Sequence, residues 1–156
     1  MRPSEILERS RAAALRIREI DAEIRALHDK IGVQGHSYGF HGKNDIRDPM
    51  RRVDEMIDGT MDLEVEKMEC RRDINAALRI IDGMRVVDTS STGKFTTDAE
   101  YILSEYYVFA KSMGEIARGA GQPAELCTML LRENVKFCDS VGCAGLLAAS
   151  HRREDA

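Results

Sequence analysis

A group of polar side chains lies in and just after a glycine turn late in the chain. These side chains could form hydrogen bonds with a nucleic acid. Four of them lie in the turn or at helical spacing behind it: Gln122, Thr128, Arg132 and Lys136. Amide, hydroxyl and guanidinium groups can hydrogen-bond to base edges in a major groove. The residues that could do so here are Gln122, Thr128 and Arg132. Lys111, Arg118 and Lys136 would then bind phosphates. The alternative is a solvated helix face, shared with Glu125, that carries surface ion pairs.

Two capping boxes predict the helices that lead up to this turn. In each box a hydroxyl residue and a Glu three positions later satisfy free amides at a helix start. Thr97 and Glu100 form the first box and predict a helix to about Ala110. Ser112 and Glu115 form the second and predict a short helix ending near Ala120.

Gly121 supplies the left-handed residue that a tight helix stop needs, and Pro123 suits the first position of a third helix, from Ala124 to about Cys138. A short helix, a glycine turn and a longer helix are the layout of a DNA-binding helix-turn-helix. In the third helix we expect the following residues to pack against the two preceding helices: Leu126, Met129, Leu130, Val135 and Phe137. A tail helix over 141–150 would cover a second apolar side: Cys127, Leu131 and Cys138.

The residues around this turn resemble those of phage-encoded regulators of the ArpU type, whose DNA-binding portion is similar to sigma-factor region four. The matching residues are Leu103, Tyr107, Ser112, Glu115, Ile116 and Ala117. The chain departs from that pattern at Tyr106, where a basic residue is usual, and at Met113, where Trp is usual. The resemblance implies binding to double-stranded DNA and control of phage or prophage transcription, with RNA polymerase or phage proteins as further partners.

The local charge argues against easy DNA binding. Between Phe95 and Asp139 the four basic residues are Lys111, Arg118, Arg132 and Lys136. The seven acidic residues are Asp98, Glu100, Glu105, Glu115, Glu125, Glu133 and Asp139. A basic patch is the usual electrostatic footprint of a DNA-binding surface. A second hypothesis is therefore a helical protein-interaction or oligomerisation module with a degenerate helix-turn-helix.

The region 1–87 predicts a long helical hairpin that also mediates oligomerisation. One heptad seam runs along a helix from Ser4 to about Lys30: Ile6, Ala13, Ile17, Ile20, Ile24, Leu27 and Ile31. The other runs along a helix from Pro49 to about Met84, interrupted by Thr60 and Lys67: Val53, Met56, Leu63, Cys70, Ile74, Ala77, Ile81 and Met84. An antiparallel hairpin is the economical arrangement, and parallel dimerisation is the rival.

Composition and spacing set the overall class. A glycine-rich loop at 32–48 and a polar linker at 88–95 divide the chain into the hairpin, 1–87, and a helix-turn-helix region with a tail helix, 96–156. The composition is 43% hydrophobic but only 5% aromatic, which favours packed helices over a sheet. We therefore expect an all-α fold, with a coiled-coil-like N-terminal hairpin followed by the helix-turn-helix.

No arrangement of residues predicts catalysis or a bound cofactor. The four cysteines form no CxxC pair, and His36 and His41 lack the further ligands that a zinc site needs. No apolar stretch approaches the length of a membrane span. The sequence therefore predicts a cytoplasmic, homo-oligomeric binding protein that is not an enzyme and has no metal, cofactor or membrane partner.

Overall fold

The computed structural model describes the backbone of residues 1–35, 49–91 and 97–154. Its helices are α1 (Pro3–Gly35), α2 (Pro49–Ser91), α3 (Thr97–Leu103), α4 (Met113–Ala120) and α5 (Ala124–Glu154). A π-helical turn, Ser104–Val108, continues α3. Over these described residues there is no strand, so the all-α prediction is confirmed.

Several predicted boundaries shift. Helix α1 continues through Gly35 instead of ending near Lys30. Helix α2 continues through Ser91, so the first half of the predicted linker is helical. The rest of the glycine-rich loop and of the linker, with His36 and His41, lies outside the described residues. Both long helices therefore end several residues later than the glycine and serine residues predicted.

The chain divides into two compact units. Met1–Leu15 and Cys70–Ala156 form one, here called the bundle unit, and Arg16–Glu69 form the other, the hairpin unit. Both α1 and α2 contribute residues to each unit.

The bundle unit has a continuous apolar core contributed by α1, α2, α3, the π-turn, α4 and α5. Its buried members are Leu7, Ala77, Ile80, Ile81, Met84, Ile102, Leu103, Tyr107, Ile116, Cys127, Leu131, Cys138 and Leu146. The predicted seam of α2 is confirmed in this unit by three buried residues: Ala77, Ile81 and Met84. In α1 the predicted seam residue Ile6 is only half-buried, and its neighbour Leu7 is fully buried instead. Gly83 brings α2 so close to α5 that a Cβ atom there would overlap the carbonyl of Leu146.

The hairpin unit pairs α1 and α2 in the predicted antiparallel sense. Ile20 is fully buried between them, and the other seam residues of this unit are half-buried where their side chains are described. Two ion pairs join the helices: Arg16 Nε donates to Glu66 at 2.6 Å, and Lys67 Nζ donates to Asp21 at 2.6 Å. Lys67, which interrupts the apolar seam, is therefore accommodated by a carboxylate on the facing helix.

Candidate nucleic-acid interface

The start of α4 is held by a complete capping box. The amide of Glu115 donates to Ser112 Oγ at 3.3 Å, and the amide of Ser112 donates to Glu115 Oε2 at 3.1 Å. Ser112 itself is extended, with φ −72° and ψ 156°. The reciprocal bonds satisfy amides that have no partner inside the helix. The box predicted from sequence at 112–115 is confirmed.

The turn between α4 and α5 is closed by Gly121 in the left-handed conformation, φ 64° and ψ 29°. The amides of Gly121 and Gln122 both donate to the carbonyl of Ala117, the latter at 3.2 Å. A residue with a Cβ is strained at this φ, which is why glycine suits the position. Helix α5 then begins at Ala124, one residue after Pro123, whose carbonyl accepts the first helical bond, from Cys127 at 3.1 Å.

Helix α5 has one buried and one exposed side. Cys127, Leu131, Asn134 and Cys138 follow each other at four-, three- and four-residue steps and are all buried. The expectation that Met129 packs against the preceding helices is wrong, because its side chain is 49% exposed. Three of the other residues predicted to pack on this side, Leu130, Val135 and Phe137, are partly buried against the core, so the prediction is confirmed for them.

The second apolar side of this helix, Cys127, Leu131 and Cys138, is covered within the bundle unit. Cys127 and Cys138 are fully buried, and burial raises the pKa of the Cys138 thiol to about 12. The predicted tail helix is present as the last part of α5, behind a break at Gly142, where φ is 80° and ψ is 160°. Leu146 of that tail is fully buried in the same core.

The predicted base-contacting residues lie on or beside the exposed side of α5. Gln122 and Arg132 are exposed, and Thr128 is half-buried. The hydroxyl of Thr128 donates to the carbonyl of Ala124 at 2.9 Å, so it has an acceptor position left for a ligand. Six side chains border a shallow open depression on this side: Glu125, Thr128, Met129, Arg132, Glu133 and Lys136.

The predicted phosphate-binding residues divide into two groups. Lys136 and Arg118 are exposed, and Arg118 Nε donates to Gly114 O at 3.4 Å within its own helix. Lys111 instead forms an ion pair with Glu105, whose side chain is 13% exposed, and this hydrogen bond raises the pKa of Lys111. The ammonium of Lys111 is thus already engaged. Sequence spacing did not predict this pair, because Glu105 lies in the π-turn and Lys111 lies beyond its end.

The depression carries balanced charge. Glu125 and Glu133 stand beside Arg132 and Lys136, so the two acids offset the two bases. Met129 places an apolar thioether between them. Sequence reasoning did not include Met129 or Glu133 among the site residues. A helical wheel centred on Arg132 would have found Met129, which precedes it by three residues.

The π-turn ahead of α4 is held by α1. Arg11 Nη1 donates to the carbonyls of Tyr106 at 2.6 Å and Lys111 at 3.1 Å, and its guanidinium lies 3.9 Å from the centre of the Tyr106 ring. The hydroxyl of Ser10 donates to the carbonyl of Tyr107 at 3.0 Å. These bonds satisfy carbonyls left over where the helix widens and ends. The bonded carbonyls lie on both sides of Ala110, where the chain turns with a φ of 51°.

The described residues contain no group of histidine, cysteine and carboxylate side chains that could hold a metal ion. Among the helices described, none combines the length and apolar character of a membrane span. Comparisons with protein-family models, with curated proteins and with solved structures each found no match to this chain.

Proposed function

We propose that the protein is a DNA-binding transcription regulator that uses α4 and α5 as a helix-turn-helix. The observation that carries the proposal is the exposed polar side of α5, placed directly behind a capped short helix and a left-handed glycine turn. A recognition helix needs such a side, because its first turns must enter a major groove while the other side packs on the domain.

The exposed groups suggest a division of roles. Arg132 and Gln122 would contact base edges, because guanidinium and amide groups can form paired hydrogen bonds there. Lys136 and Arg118 would contact phosphates and fix the register of the helix. Thr128 would accept a hydrogen bond from a base amino group. Lys111 would bind a phosphate only after its ion pair with Glu105 has broken.

The resemblance to ArpU-type regulators supports a role in phage or prophage transcription. Four of the shared residues lie in or cap α4: Ser112, Glu115, Ile116 and Ala117. The other two, Leu103 and Tyr107, are buried in the core. These six residues support the fold of the region more than its DNA target. In this proposal the protein is not an enzyme, works in the cytoplasm, and meets RNA polymerase or phage proteins at the DNA.

Binding to a duplex from the region upstream of the protein's own gene, measured by fluorescence anisotropy, tests the proposal. Arg132→Ala should weaken binding by about 5- to 150-fold, the effect of losing a paired base contact. Arg25→Ala is the matched control, since Arg25 is an exposed arginine of α1 outside the interface. It should bind as the unmodified protein does.

Salt dependence separates phosphate contacts from base contacts. Lys136→Ala should weaken binding to the upstream duplex and to a random duplex alike, and reduce the slope of log affinity against log salt by about 1. If neither duplex binds at low salt, or if Arg132→Ala and Arg25→Ala behave alike, the proposal is wrong.

A protein-interaction module is the second candidate, and the acidic residues beside the basic ones favour it. Glu125 and Glu133 would repel phosphates but could pair with basic groups of a protein partner. In that case the double variant E125Q/E133Q should still not bind DNA, and it should bind the protein partner more weakly. If the protein binds DNA, the same double variant should instead tighten binding, because two negative charges are removed from the interface.

A further inference from the structure

Three arginines lie on the exposed side of α2 in the part of that helix that belongs to the bundle unit: Arg71, Arg72 and Arg79. Asn75, also exposed, lies midway between Arg71 and Arg79, so these three form a row at four-residue spacing, and Arg72 lies beside it. The row extends about 12 Å along the helix. The four side chains are here called the arginine face.

The core of the bundle unit fixes the direction in which this face points. Ala77, Ile80 and Ile81 occur in the same two turns of α2 and are buried in that core. The side chains between them in the sequence therefore point to solvent, and the helix cannot rotate to bury the arginines without exposing the core.

Two of the acidic residues nearest to the arginine face already have partners. Asp73 is half-buried and forms an ion pair with Arg9 at 3.2 Å. Asp82 is half-buried and accepts a hydrogen bond from the hydroxyl of Ser150 at 3.2 Å. Neither carboxylate neutralises an arginine of the face.

The exposed acidic residues of this stretch of α2 precede the arginine face. Glu69 lies just before it, and Glu64 lies two turns before Arg71. Beyond Ser150, the described side chains of α5 are His151 and Arg152, which add no acid. Among the residues that the structure describes, none forms an ion pair with the three arginines of the face.

Charge distinguishes the arginine face from the depression on α5. The depression is bordered by two acids and two bases, whereas the arginine face carries three positive charges on a chain whose net charge is −4. A surface region of one sign attracts partners of the opposite sign. The complementary partner of the arginine face is therefore an anion with charges spaced along at least 12 Å, as in a polyanion.

The residue types favour phosphate as the anionic group. A guanidinium is planar and pairs with a phosphate through two parallel hydrogen bonds, and it is less strongly hydrated than the ammonium of lysine. Asn75 adds an amide donor in the middle of the row. Each strand of duplex DNA carries a phosphate about every 3.4 Å along the axis, so a row of about 12 Å can meet three or four of them.

A protein partner fits the arginine face less well. Protein interfaces have an apolar centre and a polar rim. Here the centre is Asn75, and the exposed apolar residues nearest to it, Met68 and Leu78, lie beyond the end of the face and at its edge.

We infer that the arginine face binds the phosphate backbone of duplex DNA without regard to base sequence. The inference rests on the proposed function for its choice of polyanion. It supplies the electrostatic attraction that the balanced charge of the depression on α5 does not.

Fluorescence anisotropy with a random-sequence duplex at low salt provides the first test. The triple variant R71Q/R72Q/R79Q should weaken binding at least about tenfold and reduce the slope of log affinity against log salt by about 3, because three phosphate contacts are lost. The charge-matched control is R18Q/R25Q/K30Q, which removes three positive charges from exposed positions of α1. It should keep the slope of the unmodified protein.

A second variant separates the charge of the face from the integrity of the helix. R71K/R72K/R79K keeps all three positive charges, so it should bind the random duplex within a few-fold of the unmodified protein and with the same slope. Circular dichroism verifies that each triple variant is folded. A lysine variant that binds as weakly as the glutamine variant would contradict phosphate binding by this face.

The same measurements separate this inference from the proposed function. If R71Q/R72Q/R79Q weakens binding to the random duplex but Arg132→Ala does not change preference for the upstream duplex, the arginine face stands and base recognition by α5 is wrong. If Arg132→Ala reduces that preference but R71Q/R72Q/R79Q and R18Q/R25Q/K30Q bind the random duplex equally, the inference is overturned. Failure of the unmodified protein to bind any duplex overturns both.

Discussion

The bundle unit and the hairpin unit hold their helices together in different ways. The bundle unit surrounds a continuous apolar core with segments from five helices and the π-turn, and α2 approaches α5 at Gly83. In the part of the hairpin unit that the structure describes, two helices bury a narrow seam, and ion pairs supplement it: Arg16 with Glu66 and Lys67 with Asp21. Close packing stabilises the first unit, whereas the second relies on a narrower seam and polar links.

The largest expected effect is at the close approach in the bundle unit. Gly83→Ala should lower the free energy of unfolding by about 3 kcal/mol, because the added methyl group overlaps the Leu146 carbonyl and one backbone must move. Gly114→Ala is the matched control, since nothing lies near its Cβ position in α4. It should cause no loss, because alanine favours the helix more than glycine does. Urea denaturation followed by circular dichroism measures both, and equal effects would show that the packing at Gly83 is loose.

Substitutions of the two members of the Lys67–Asp21 ion pair in the hairpin unit should have unequal effects on the free energy of unfolding. Asp21→Ala should cost about 1–3 kcal/mol, because it leaves the ammonium of Lys67, whose side chain is only 15% exposed, without its partner. Lys67→Met should cost much less, since Asp21 is 43% exposed and can be hydrated while the methionine fills the seam. The same urea titration applies. If Lys67→Met lowers the free energy of unfolding more than Asp21→Ala does, the ion pair itself, and not only the burial of the ammonium, stabilises the hairpin unit.

The smallest expected effect concerns a local polar link in the bundle unit. Ser112→Ala removes the side-chain acceptor of the capping box and should lower the free energy of unfolding by about 1 kcal/mol. The loss should appear first in α4, as faster amide exchange at Glu115, since that amide donates to the lost hydroxyl. Ser140→Ala is the control, because Ser140 donates to Phe137 O within α5 and caps no helix start. Unchanged exchange at Glu115 would mean that core contacts alone hold the start of α4.

Sequence reasoning found features that depend on neighbouring residues. The capping box at Ser112, the left-handed turn at Gly121 and the order of long and short helices follow from local chemistry, and all are confirmed. The two seams left antiparallel and parallel pairing of the long helices open, and the structure shows the antiparallel one, with Leu27 beside Gly59 and Arg16 beside Glu66. The partner of Lys67 could not be identified, because it depends on which residue of the facing helix lies opposite.

Contacts between distant segments were not predictable in the same way. Ser10 and Arg11 looked like ordinary positions of an amphipathic helix, and nothing local shows that they bind the carbonyls of the π-turn. Met129 is apolar, so its type suggested burial, but the core is filled from the side that carries Cys127 and Leu131. The assignment of the six polar residues to DNA binding remains a prediction, because it depends on a partner and not on contacts within the chain.

The bonds from α1 to the π-turn also bear on how the protein is made. Ser10 and the carbonyl that it binds are separated by 97 positions, so the first helix leaves the ribosome well before its partners exist. Until the later residues are synthesised, Leu7 has no complete core to enter and Arg11 has no carbonyls to bind. Contacts over such a separation slow folding, because a long chain must close before they form. The growing chain therefore carries an exposed apolar helix end until those later residues are synthesised, the kind of surface that chaperones bind.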